Sequence, residues 1–100
     1  MIQGTNPVHT FKLPFSTEAV QSIRILYAQD DEVVVAKETA DCTLEGDKAT
    51  VELTQEDTLS FNHKKKVEIQ VRVLTVDGKS LVSDPKCVTV RQCLDKDVIK

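Results

Sequence analysis

The chain reads as an all-β sandwich, and three observations carry that reading. Apolar residues recur with period two, turn-forming pairs interrupt the chain at short intervals, and the one segment with helix-start signals is a single turn between two strands. The stretch Ala49–Gly78 shows all three. Ala49, Val51 and Leu53 alternate with Lys48, Thr50 and Glu52, and Val67, Ile69, Val71 and Val73 alternate with Glu68, Gln70 and Arg72. Both strands therefore bury one face. Between them Thr54 and Asp57 have capping-box spacing, in which each side chain accepts from the other residue's backbone N–H. This predicts one short helical turn at 55–59, a corner where the chain leaves one sheet for the facing one, with Leu59 and Phe61 closing the end of the core.

The other elements follow in order. His9 to Phe15 forms the first strand, with Phe11, Leu13 and Phe15 on one face. Pro14 has no N–H for a ladder, so this strand lies at a sheet edge or ends there. Ser16 to Gln21 is a polar connection in which Val20 turns inward. Ser22 to Ala28 is the second strand, with Ile23, Ile25 and Tyr27 on the core side. Gln29-Asp30-Asp31-Glu32 turns the chain into a β-branched third strand, Val33 to Glu38. A short fourth strand around Cys42-Thr43-Leu44 leads through Glu45-Gly46-Asp47 into the fifth. After the corner and the sixth strand, Asp77-Gly78 is the strongest hairpin signal in the chain. The seventh strand starts at Ser80, breaks at Asp84-Pro85 to keep proline out of the ladder, and resumes as Cys87–Arg91 with Val88 and Val90 inward. About seven short strands at near-regular spacing make an immunoglobulin-like sandwich the leading architecture, with a small barrel second. The Cys…Trp…Cys arrangement of antibody domains is absent, since the chain has no Trp.

One hundred residues make a single domain, 1–100, with an N-terminal arm at 1–8 and a C-terminal tail at 94–100. A net charge of −3 argues against nucleic acid as a partner. The basic run Lys64-Lys65-Lys66 reads as a solvated loop. No apolar stretch is long enough for a membrane span, and Met1–Pro7 lacks the charged and apolar regions of a signal peptide. No membrane association is expected.

Cys42, Cys87 and Cys93 are odd in number and lack zinc-ligand spacing, so they read as reduced structural thiols. His9 and His63 belong to no nucleophile–base pattern, and there is no Gly-x-Ser-x-Gly elbow. The cluster Asp30-Asp31-Glu32 reads as a hairpin turn rather than a calcium cage. The three glycines build no phosphate loop. No catalytic residue, cofactor or metal is expected. What remains are edges and ends: Leu26 and Leu74 point away from the core, as Val34 does if its strand keeps register, and Ile2, Val8, Leu94, Val98 and Ile99 lie in the two terminal segments. Ile2, Val8, Leu26, Leu74, Leu94, Val98 and Ile99 are the candidate interaction residues, and both terminal segments are expected to order on a partner or a neighbouring copy.

The run Leu53-Thr54-Gln55-Glu56-Asp57-Thr58-Leu59-Ser60-Phe61, followed by Val67–Val73 and Asp77-Gly78, resembles small tail-region proteins of phages and prophages of Gram-positive gut bacteria. It is also similar to the N-terminal domain of the baseplate upper protein family. The extended arm before Phe11-Lys12-Leu13 adds to the likeness, while His63-Lys64-Lys65-Lys66 stands where those sequences carry a Gly-containing approach to the strand. The resemblance implies a non-enzymatic virion structural protein, associated with baseplate or tail or decorating the particle. Its implied partners are other virion proteins or copies of itself, as a homo-oligomer, and its implied location is the virion, assembled in the host cytoplasm. The alternative is a standalone binding module of a mobile element that captures or inhibits a host protein.

Overall fold

In the computed structural model, which describes residues 1–100, the chain forms strands β1 (Val8–Lys12), β2 (Val20–Gln29), β3 (Glu32–Lys37), β4 (Cys42–Glu45), β5 (Lys48–Glu52), β6 (Val67–Thr75), β7 (Ser80–Val82) and β8 (Lys86–Val88). The single α-helical turn, α1, is Gln55–Leu59, and short 3₁₀ turns sit at Thr17–Ala19 and Thr39–Asp41. All pairings between strands are antiparallel, and they make two sheets. One has the order β1-β5-β4. The other has the order β3-β2-β6-β7, with β8 also pairing with β6. β7 and β8 share one side of β6, because β7 meets Arg72–Leu74 and β8 meets Val67–Ile69. The sequence expectation of a single interrupted last strand is thus met by two short strands separated by Ser83–Pro85.

This is the connectivity of an immunoglobulin-like sandwich, in which consecutive strands cross between sheets. Here β1, β5 and β4 take the places of strands B, E and D, β2 and β6 those of C and F, and β7 with β8 that of G. β3 adds an edge beside β2. No strand takes the place of A. Instead the opening segment runs parallel to the last one, with an isolated bridge between Ile2 and Arg91. No helix is long and apolar enough to cross a membrane.

The core lies between the sheets as the alternation requires. Ile23, Ile25 and Tyr27 from β2 meet Val67, Ile69, Val71 and Val73 from β6, and Ala49, Val51 and Leu53 close over them, with Phe61 at the end. Tyr27 and Ile25 are wholly buried.

The corner forms as its residues dictate. The Thr54 side chain accepts from the Asp57 N–H at 3.1 Å, and Asp57 accepts from the Thr54 N–H at 2.9 Å. Phe61 plugs the core end, whereas Leu59 stays half-buried beside Gly4. Thr58 does the inner work: its buried hydroxyl accepts from the Gly4 N–H and donates to the Thr5 carbonyl, each at 2.9 Å. The N-terminal arm is therefore sewn to its own domain. Gln3 is buried, donating to the Phe61 carbonyl at 2.6 Å and accepting from the Cys93 N–H at 3.1 Å.

Two turns depart from simple expectation. At Asp30-Asp31 both residues have positive φ, 50° and 63°, as a two-residue turn of type I′ demands, although neither is glycine. Three residues after Asp31 the β2–β3 register slips between Ala28↔Val33 and Tyr27↔Val35, leaving Val34 as a bulge. Val34 consequently packs against the core instead of pointing outward. At the other hairpin Gly78 alone takes positive φ, 87°, with its N–H on the Thr75 carbonyl and the Thr75 N–H on the Lys79 carbonyl. That is a three-residue loop with a glycine bulge rather than a two-residue turn.

Candidate interaction groove

β1 has a strand neighbour on one side only. Leu53 donates its N–H to the Pro7 carbonyl at 3.0 Å, and Leu13 donates to that of Asp47 at 2.7 Å. With His9↔Val51 and Phe11↔Ala49 in register between them, the odd-numbered residues turn their backbone groups toward β5. The N–H and C=O groups of Val8, Thr10 and Lys12 therefore face away from it. They form an open strand edge.

The opposite lip is the break between β7 and β8. Ser83 holds it in place: its N–H donates to the Val71 carbonyl, its hydroxyl accepts from the Val71 N–H, and its carbonyl accepts from Gln70 Nε2, each at 2.9 Å. The serine side chain substitutes for a ladder bond, so the chain can swing out at Asp84-Pro85 without orphaning Val71.

Between these lips runs a groove of about 410 Å³. Phe11, Leu13 and Phe15 line one wall, and Val71, Val73 and Leu81 make the floor. Its polar groups sit at the rim, chiefly Lys12, Asp84 and Lys86. The groove follows from strand count: the second sheet reaches one place further than the first, and β7 has nothing over it. Leu81, on the core side of β7 opposite Val73, is left 42% exposed.

The candidate residues read from sequence divide into three groups. Val8 starts the open edge and is exposed. Leu26 and Leu74 share the outer face of the larger sheet, but Arg24 and Arg72, directly opposite each other, lie between them, so they form no continuous apolar patch. Arg24 is paired with Glu38 at 2.9 Å. Ile2, Leu94, Val98 and Ile99 belong to the terminal segments. Ile2 bridges to Arg91, Val98 is half-buried, and Leu94 and Ile99 are 95% and 74% exposed. The residues 94–100 are held lightly. The Gln55 side-chain amide brackets the Ile99 backbone with two bonds of 3.0 Å, and Lys96 Nζ donates to Gln3 Oε1 at 2.5 Å.

Sequence reasoning put Phe11, Leu13 and Phe15 on one face of the first strand, where Leu13 joins the core and Phe11 and Phe15 pack beside it, and overlooked Leu81. The available signal was Pro14 beside a short, proline-broken last strand, two edge markers whose meeting across the sandwich is a tertiary fact.

A few polar groups lie inside the sandwich. His9 Nδ1 and the Tyr27 hydroxyl are hydrogen-bonded at 2.7 Å. Burial lowers the His9 pKa and raises those of Tyr27 and Cys42. Burial alone would raise Asp57, but the Lys37 ammonium at 2.7 Å and the capping bonds from Thr54 hold it below the usual carboxylate range. All three cysteines are free; Cys87 is exposed, and Cys42 and Cys93 are half-buried. No three His, Cys, Asp or Glu side chains gather as a metal site would require. No family model, curated protein or solved structure matches the chain.

Proposed function

We propose that this protein is a non-enzymatic structural module of a phage or prophage virion, associated with baseplate or tail or decorating the particle, and that it acts through protein–protein contacts. The observation that carries the contact reading is the groove, an apolar trough with an unpaired strand edge as one wall. Open edges are liabilities in a monomer and useful in an assembly, where many weak, repeated contacts act together. The virion assignment is supported by the sequence resemblance through Leu53–Phe61, Val67–Val73 and Asp77-Gly78. Particles purified on a density gradient from an induced host test it. The protein should band with particles at a fixed ratio to the other structural proteins and disappear from them when its edge is blocked. Recovery only in the soluble fraction, bound to a host protein, would favour the alternative of a binding module that captures a host factor.

A further inference from the structure

We infer that the groove is filled by one extended strand, the segment Leu94–Lys100 of a second copy, added to the open edge of β1. This rests on the assembly reading above and names the partner for it. The geometry first limits what can enter. Because β1 lies over β6 and β7 projects beyond it, a second β1 arriving edge to edge would bring its own β6 into the space β7 already holds. Two sandwiches with their larger sheets on the same side cannot pair through this edge, but a lone strand can.

The segment 94–100 can supply such a strand. It belongs to neither sheet, and it presents Leu94 and Ile99 to water. Seven extended residues span about 23 Å, comparable with the roughly 20 Å from Thr10 to Phe15. Its alternation puts Leu94, Lys96, Val98 and Lys100 on one face and Asp95, Asp97 and Ile99 on the other. With the first set turned inward, Leu94 and Val98 cover Leu81 and Val71, and Lys96 reaches Asp84 on the rim. The second set then lies beside Lys12 on the outer face. Lys12 stands directly opposite Lys48 there, a like-charge pair that an acidic neighbour relieves.

Placement makes the contact intermolecular. Residues 94–100 dock near Gln55, at the α1 end, whereas the groove runs on to Leu13–Phe15, by the Gly46–Asp47 turn at the other end. A copy that donates its segment to the next makes a head-to-tail contact, which propagates into a ring or filament.

Sedimentation of the whole chain from about 10 µM to 1 mM, with a reductant because Cys87 is exposed, tests the inference. The chain should form dimers and larger species. Thr10→Pro removes an outward N–H and leaves the backbone bonds to β5 in place, giving up only the Thr10–Thr50 hydroxyl contact at 3.3 Å, and Leu81→Asp alters an exposed groove side chain. Each should weaken association at least about tenfold with the fold intact by circular dichroism. A Leu94→Asp/Val98→Asp chain should do the same. The two classes mixed should restore one contact, since one supplies an intact segment and the other an intact groove, and assembly should stop at a heterodimer. A chain monomeric to about 1 mM, or association indifferent to both Thr10→Pro and Leu81→Asp, overturns the inference. If that chain still enters particles, the assembly reading survives and the strand comes from another virion protein. If it neither associates nor enters particles, both fail.

Discussion

Replacing Thr58 by Val tests how the corner and the N-terminal arm are joined. The change keeps the side-chain shape and deletes one buried hydroxyl, which serves the Gly4 N–H and the Thr5 carbonyl at 2.9 Å each. Leaving a buried donor or acceptor unsatisfied costs about 1–3 kcal/mol. Thr5 is exposed and Gly4 half-buried, so water recovers part of this for both groups and the expected loss is about 2 kcal/mol. In a domain of this size that lowers Tm by about 8–16 °C. Thr58→Ser supplies the control. It keeps the hydroxyl and loses one methyl, at a cost of about 1 kcal/mol, so the valine variant should be the less stable of the two. Thermal and urea unfolding followed by circular dichroism measure both, and the amide exchange of Gly4 should quicken in the valine variant alone. A valine variant as stable as wild type, or more stable than the serine variant, would refute the reasoning.

Other perturbations have definite expected outcomes. Ile25→Ala, at a wholly buried site, should cost about 2–5 kcal/mol in urea unfolding, and a loss under about 0.5 kcal/mol would mean that the inward face of β2 is misassigned. Asp31→Gly should stabilise by about 0.5–1 kcal/mol, because glycine takes the positive φ at that turn without steric cost; no gain in Tm would count against strain there. Stability should also depend on pH through His9 and Asp57, whose folded pKa values both lie below their unfolded ones. The unfolded chain then binds more protons, so the contribution of His9 is complete above about pH 6.5 and lost as pH falls below it, and that of Asp57 is lost below about pH 4. His9→Gln should flatten the upper part of that profile. Thiol labelling of the native protein should modify Cys87 first and Cys42 slowly, because burial raises the Cys42 pKa.

Local signals in the chain were legible where local physics decides the outcome. The Thr54/Asp57 box, the alternation of Val67–Val73 and the proline break after Val82 each specify their own backbone, and the structure follows them. Positions decided by distant partners were not legible. Gln3 is a polar residue in a polar arm, and only the meeting of Phe61 and Cys93 around it makes it a buried anchor. Thr58 reads as one more polar residue of a helical turn until Gly4 and Thr5 arrive beside it. Val34 left its expected face because a bulge beside the Asp30-Asp31 turn shifted the register, a choice the β-branched run does not encode. The groove lay furthest from view. Phe11 and Leu81 are more than sixty residues apart, and their shared exposure results from one sheet being a strand wider than the other.

Amide hydrogen exchange along β1 tests the central claim most directly. The N–H groups of Thr10 and Lys12 face the open edge, so in dilute, monomeric protein they should exchange quickly while those of His9 and Phe11, bonded to β5, stay protected. At about 1 mM the Thr10 and Lys12 amides should slow by about an order of magnitude, and they should return to the fast rate in the Leu94→Asp/Val98→Asp chain at the same concentration. Equal exchange of these two amides in dilute and concentrated protein would contradict the account.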